Sequence, residues 1–268
     1  MRAIVETRTA ARDVLVAAAR EAGQIGLAHF RIGATTSARI NWKGEGSPVT
    51  EADLAIDAHL AKTLRAAFPE AALLSEETVD DPNRLIRSRV LIVDPIDGTR
   101  GFMAGDDRWT VCVALVEDGR VVAGVVHAPA RDETFAAARG SGATLNGERI
   151  RASARTRLPG AGAAGPKPIL QALGRIAGED FVVEPKIPSL AYRFARVAWG
   201  AVDFAAASEH AHEWDVAAVD LILEEAGARL FDFAGSDLAY NSRELKKPAL
   251  LAAGRGLQPA LIEAAQRL

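Results

Sequence analysis

Cysteine is nearly missing from this chain: Cys112 is the only one in 268 residues. An internal disulfide is excluded, and so is a zinc site built on thiolates. Histidine is sparse as well. Of the five, only His210 and His212 lie close in sequence, and no third nitrogen or sulfur ligand stands near them. A basic excess is also lacking, with 32 Lys and Arg against 35 Asp and Glu and a formal charge of -3. That balance speaks against a dedicated nucleic-acid binder. No Gly-x-Ser-x-Gly elbow is present, which removes the common signature of a serine hydrolase. No apolar run approaches the ~20 residues needed to span a bilayer. The stretch from Met1 to Gly23 is broken by Glu6, Arg8, Arg12, Asp13 and Arg20, so it does not read as a signal peptide. A soluble, cytoplasmic protein with no membrane and no nucleic-acid partner is the expectation.

What is there is enough to fold. Hydrophobic residues make up 49% and charged residues 25%, a composition that buries a core in one large domain or two modest ones. Residues ~10–30 carry Val14, Leu15, Ala18, Ala22, Ile25 and Phe30 at helical spacing. A loop over Asn41–Pro48 follows, then a helix from Thr50 to about Phe68, ended by Pro69. Val90–Val93 reads as a buried strand that stops at Asp94-Pro95. Val111–Val116 and Val121–Val126 flank Glu117–Arg120 and read as a hairpin, and Asn146-Gly147 marks another tight turn. Pro159–Pro168 is the one composition shift. It contains Gly160-Ala-Gly162-Ala-Ala-Gly165, a formal dinucleotide fingerprint, but Pro166 and Pro168 argue against an immediate helix, so it reads as a linker. Helices near Ile169–Ala177, Leu190–Trp199 and Asp215–Ala226 alternate with strands near Phe181–Val183 and Val202–Ala206, and a strand and a short helix finish the chain. The fold class is therefore α+β followed by α/β. The expected domains are 1–155 and 169–268, joined by a linker over 156–168.

The acids carry the chemistry. Val90–Val93 delivers the chain to Asp94-Pro95-Ile96-Asp97-Gly98-Thr99, and Asp94 falls at a strand's carboxyl end, where open α/β sheets place ligands. Pro95 turns the chain so that Asp94, Asp97 and the Ile96 carbonyl can converge, a donor set suited to Mg²⁺. Gly98 permits an unusual backbone angle, and a helix starting at Thr99 offers amides to a phosphate. A plain Asp-Pro turn with solvated acids is the competing reading. Glu76 and Glu77 follow the apolar Leu73-Leu74. Asp215 is placed to cap its helix, and Thr50–Asp53 has the spacing of a capping box with Asp for Glu.

Taken together, Ser47–Asp53, Leu74–Glu77, Val93–Thr99, Gly142–Gly147 and Trp214–Ala218 resemble the inositol monophosphatase superfamily of lithium-sensitive, magnesium-dependent phosphatases. The resemblance implies a layered αβαβα sandwich with the active site between its halves. It implies two or three Mg²⁺ ions. Glu76, Asp94 and the Ile96 carbonyl would hold the first, and Asp94, Asp97 and Asp215 the second. A weaker third ion would lean on Glu76 through water. Thr99 and Asp53 would orient the attacking water, which makes Asp53, Thr99 and Glu76 the catalytic set. Gly98 and Thr99 would bind phosphate, with Asp97, Ser189 and Asp215 beside them.

The substrate is expected to be a small phosphorylated metabolite. Ser47-Pro-Val-Thr50, Glu213-Trp-Asp215 and Asp237-Leu-Ala-Tyr-Asn241 look most like the bacterial bisphosphate nucleotidase branch, acting on 3'-phosphoadenosine 5'-phosphate. Ser189-Leu-Ala-Tyr-Arg193 departs from the Ser-Leu-Lys pattern of that branch, leaving open whether Tyr192 or Arg193 meets substrate. Seven residues before Asp215, where inositol phosphatases carry a substrate-binding Glu, stands Ser208, with Glu209 beside it. Inositol monophosphate and histidinol phosphate are the alternatives on the same scaffold, and a non-catalytic module for transcription machinery is the alternative of another class. A homodimer fits the resemblance.

Overall fold

The structure, a computed structural model, describes residues 2–43 and 46–268, with the side chains of residues 2–6 outside the description. Its layering follows from the strands that are apolar on both faces. In β4 (Arg89–Asp97), Val90 and Ile92 enter one apolar cluster while Leu91 and Val93 enter another. β5 (Thr110–Glu117) splits likewise, with Cys112, Ala114 and Val116 on one side and Val111, Val113 and Leu115 on the other. Because successive side chains of a strand point to opposite faces, a sheet of such strands needs cover on both.

Helices α1 (Arg2–His29) and α2 (Glu51–Ala67) give the outer cover, through Leu15, Ala18, Ala22, Ile56 and Leu60. The inner cover is α5 (Leu190–Ala198) and α6 (Glu213–Glu225), whose Phe194, Val197, Val219 and Ile222 share one cluster with both sheets. α4 (Lys167–Ala177) and α7 (Gln258–Ala265) close the far face of the second sheet around Leu170, Leu173 and Leu261. The architecture is an αβαβα sandwich.

The first sheet has seven strands in sequence order. β3 (Ala72–Ser75) is parallel to β4. Beyond β5, β6 (Arg120–Ala128), β7 (Glu133–Ala138), β8 (Ala143–Leu145) and β9 (Glu148–Arg149) continue antiparallel. The predicted hairpins stand where expected, with left-handed pairs at Asp118-Gly119 (φ 48 and 77) and Asn146-Gly147 (φ 51 and 88), the backbone a two-residue turn demands. The second sheet has five strands, in the order β11 (Val182–Val183), β10 (Gly162–Ala164), β12 (Phe204–Ala207), β14 (Leu250–Gly254), β13 (Ala228–Asp232).

Several local expectations are corrected. β4 does not stop at Asp94 but continues through a register shift to Asp97. The expected linker contains β10, an interior strand of the second sheet. Prolines do not delay the helix after it: Pro166 is the N-cap of α4 and Pro168 lies in its first turn, where a missing N–H costs nothing. The N-cap of α6 is His212 rather than Asp215. The loop over 41–48 is bounded by a two-stranded hairpin, β1 (Ile40–Trp42) and β2 (Pro48–Thr50), with Gly44 and Glu45 outside the described residues.

α6 lies against β6 so closely that Gly124 cannot carry a side chain; a Cβ there would stand 2.6 Å from the Ala218 carbonyl oxygen. Gly124→Ala is therefore expected to cost about 1–3 kcal/mol by overpacking, read as a lower urea midpoint at unchanged slope. An unaltered midpoint would show that α6 slides freely on the sheet.

Candidate active site

Asp94 and Asp97 are three apart, and in a regular strand they would face opposite sides of the sheet. A β-bulge prevents this. Asp94 pairs with Cys112 and Asp97 with Thr110, so Pro95 and Ile96 together oppose Val111 alone. The extra residue brings both carboxylates to one side, and Pro95, with no N–H to offer a ladder, is tolerated at such a site. Ile96 turns its side chain into the cluster under α1 and α2. Gly98 then takes φ 93, and a Cβ there would meet the Ser189 amide at 2.9 Å. Only glycine lets the start of α5 approach this turn.

Asp215 arrives from the other half of the chain. It occupies the first turn of α6, where its Oδ2 accepts the His212 amide at 2.6 Å. Carboxylate oxygens of Asp94, Asp97 and Asp215 lie within 4.8 Å of one another. Glu76 follows the last residue of β3, and its Oε1 stands 3.5 Å from Lys43 Nζ, which also bonds Glu77 at 2.6 Å. Asp53 divides its oxygens between two tasks. Oδ2 accepts the Thr50 amide and hydroxyl, completing the capping box of α2, while Oδ1 faces the Thr99 hydroxyl at 3.4 Å. Thr99 Oγ1 also reaches the Ile96 carbonyl at 3.1 Å.

Partner accounting separates the acids. Asp97 is held by three donors: the Ser189 hydroxyl at 2.6 Å and the amides of Leu190 at 3.1 Å and Ala191 at 2.7 Å. Ser189, expected beside the phosphate, is fully buried and caps α5 by accepting the Tyr192 amide. Asp94 is the opposite case. Both of its oxygens are buried, with no hydrogen-bond partner among the described residues. An ionised carboxylate in that condition is costly unless a cation joins it.

The protonation equilibria say the same. Burial pushes Asp53 up to about 6 and Glu76 up to about 7, with the neighbouring acids adding to the effect on Glu76. Asp94 is raised far more, by burial first and then by Glu76, Asp97 and Asp215. Asp215 rises strongly too, by burial and by Asp97. Asp97 is raised less, because Ser189, Ala191 and Leu190 offset its burial. The set of hard, anionic oxygens fits a divalent cation of the magnesium type.

Two contributors escaped the sequence reading. Lys43 reaches Glu76 and Glu77 from the β1–β2 hairpin, a contact with no local spacing signal. Glu213 is fully buried and anchors the start of α6 to Lys247 at 3.0 Å and to the amides of Asn241 and Ser242. Its place before Trp214-Asp215 was visible, but its partners lie about thirty residues on.

Comparison with known proteins agrees with this geometry. The description "Inositol monophosphatase family" matches residues 8–268. The chain belongs to the inositol monophosphatase family. Members of the family are metal-dependent phosphomonoester hydrolases. The chain is 35% identical over 245 residues to inositol monophosphatase 2 of Solanum lycopersicum, covering 87% of this chain and 91% of the relative. It is 31% identical over 237 residues to the 3'(2'),5'-bisphosphate nucleotidase CysQ of Aggregatibacter actinomycetemcomitans, covering 84% and 86%. Among solved structures, the extragenic suppressor protein suhB of Bartonella henselae superimposes with a TM-score of 0.83 at 28% identity, over 96% of this chain and 99% of that one. Among the described residues no helix is long and apolar enough to cross a membrane.

In the metal-free protein, the folded state binds protons at Asp53 and Glu76 more tightly than the unfolded chain does. Stability from these groups is present below their ordinary values of 3.8 and 4.5 and is lost as pH rises through about 6 and about 7. The contribution of these acids should therefore make the metal-free protein melt lower at about pH 8 than at about pH 5, and a divalent metal should reduce that difference. Thermal melts with and without chelator measure it, and a metal-free protein that gains stability with rising pH would contradict the account.

Proposed function

We propose that this protein is a Mg²⁺-dependent phosphomonoesterase that releases inorganic phosphate from a small phosphorylated metabolite, with 3'-phosphoadenosine 5'-phosphate as its leading substrate. The observation that carries the reading is the unpartnered, fully buried carboxylate of Asp94 between Asp97 and Asp215. Asp94, Asp97, Asp215 and Glu76, with the Ile96 carbonyl, would hold the cations. Bound there, Mg²⁺ supplies charge neutralisation for phosphoryl oxygens and makes water a better nucleophile near neutral pH.

The chain's own residues do the rest. The Thr99 hydroxyl lies within reach of both the Ile96 carbonyl and Asp53. With that carbonyl bound to a cation, its one hydrogen would turn to Asp53 and its lone pairs would be offered to the attacking water. With its carboxyl pushed up to about 6, Asp53 is mostly ionised at neutral pH yet basic enough to take a proton through Thr99. Gly98 and the first amides of α3 (Thr99–Ala104) face a phosphate oxygen in this scheme. Asp97 is fixed by three donors in the absence of a cation. No side chain is needed as a covalent nucleophile.

The bisphosphate preference is supported by the Ser47–Thr50, Glu213–Asp215 and Asp237–Asn241 resemblances and by the CysQ relative. Inositol monophosphate is the second reading, supported by the Solanum lycopersicum relative. A phosphate-release panel over both substrates decides between them, and an absence of turnover on any phosphomonoester with Mg²⁺ would favour a binding module.

Asp94→Asn is the sharpest single substitution. It removes the charge a cation needs, so turnover should fall at least ~10²-fold. Without metal, burial already holds Asp94 protonated near neutral pH, so the metal-free melt should rise only at alkaline pH. Asp97→Asn should lower turnover as well, but it weakens three hydrogen bonds and should also lose stability. Near-normal turnover of Asp94→Asn would contradict the metal site.

A further inference from the structure

Besides Thr50, which bonds Asp53, the β1–β2 hairpin reaches the site from its tip. Lys43 reaches Glu76 and Glu77, and the Gly46 carbonyl accepts Nη2 of Arg100 at 2.7 Å. Arg100 directly follows Thr99, so its side chain leaves the rim of the phosphate-binding turn. Its Cζ lies 5.8 Å from the centroid of the Trp42 ring. Trp42 itself is 61% exposed. Among the described residues Arg100 forms no ion pair, and Gly46 receives the one hydrogen bond it donates. Its remaining N–H groups, in a fork matched to phosphate, have no partner among the described residues. Lys43 and Arg193 are committed elsewhere, Lys43 to Glu77 and Glu76, and Arg193 to the carbonyls of Ala206 and Ile187.

We propose that Arg100 and Trp42 are specificity residues that select a nucleoside bisphosphate, Arg100 taking the phosphate that is not cleaved and the open face of Trp42 carrying the base. This rests on the bisphosphate reading above. A cavity walled by carboxylates repels a substrate with a second phosphate unless a free cation meets it outside the cluster, and Arg100 is such a cation. An indole with a guanidinium on one face leaves the other for a heterocycle, and stacking of this kind accepts any base. A polyol monophosphate uses neither group.

The test is steady-state kinetics with Mg²⁺ on 3'-phosphoadenosine 5'-phosphate, adenosine 3'-phosphate and inositol 1-phosphate. Trp42→Ala should lower the kcat/KM preference for 3'-phosphoadenosine 5'-phosphate over inositol 1-phosphate by roughly tenfold, mainly through KM, and Trp42→Phe should restore most of it. Arg100→Ala should erase the preference for the bisphosphate over adenosine 3'-phosphate, and Arg100→Lys should recover it in part. Equal losses on all substrates would mean that the pair only seats the hairpin and would overturn the proposal, as would unchanged preferences. A native protein active on inositol 1-phosphate but silent on both nucleotides would overturn the bisphosphate reading itself, a result distinct from failure of the pair alone.

Discussion

The site of this fold gathers carboxylates that repel one another, Asp94 and Asp97 buried, Asp215 and Glu76 partly open to solvent. Asp94 is the centre of that constraint, buried and without a donor, with Asp97 and Asp215 close enough to share a cation. A chain gains nothing from such a cluster in isolation, since burial and like charge both oppose ionisation. The cluster makes sense as a binding site whose cation is not a protein group. The metal-free fold carries it as a local penalty, supported by the large apolar clusters on either side.

The surrounding structure keeps the penalty in place. The bulge in β4 turns Asp94 and Asp97 to the same side. The α5 amides and Ser189 fix Asp97 from beyond the sheet. Glu213 and Lys247, a buried ion pair, hold the first turn of α6 and with it Asp215. The site is therefore not the property of either half. Asp53, Glu76, Asp94, Asp97 and Thr99 come with the first sheet, and Asp215 comes with the layer that both sheets share. The tight seat of α6 on Gly124 ties the distance between Asp215 and Asp94 to the packing of the middle layer.

Much of this was legible in the sequence where the signal was local. The capping box at Thr50 and Asp53, the hairpins at Asp118-Gly119 and Asn146-Gly147, and the convergence of acids after Val93 are all short-range patterns. Apolar runs gave the strands, but Val90–Val93 alone could not reveal that β4 survives a proline, because the bulge depends on pairing with β5. The prolines around Lys167 were misjudged because position decides their effect: in a first turn proline is compatible with a helix. Gly162–Ala164 looked like linker because three small residues carry no hydrophobic pattern, and only the flanking strands β11 and β12 make them a strand. Lys43, Glu213 and the role of Ser189 depend on contacts across the chain, which spacing does not encode.

The central claim is that Asp94 is unpartnered because a divalent cation belongs there. It is tested most directly by anomalous diffraction from crystals of the native chain grown with Mn²⁺, a close stand-in for Mg²⁺ with a measurable anomalous signal. The account predicts a strong peak bounded by carboxylate oxygens of Asp94, Asp97 and Asp215. No peak at that position, with Asp94 instead hydrogen-bonded to protein donors, would contradict it.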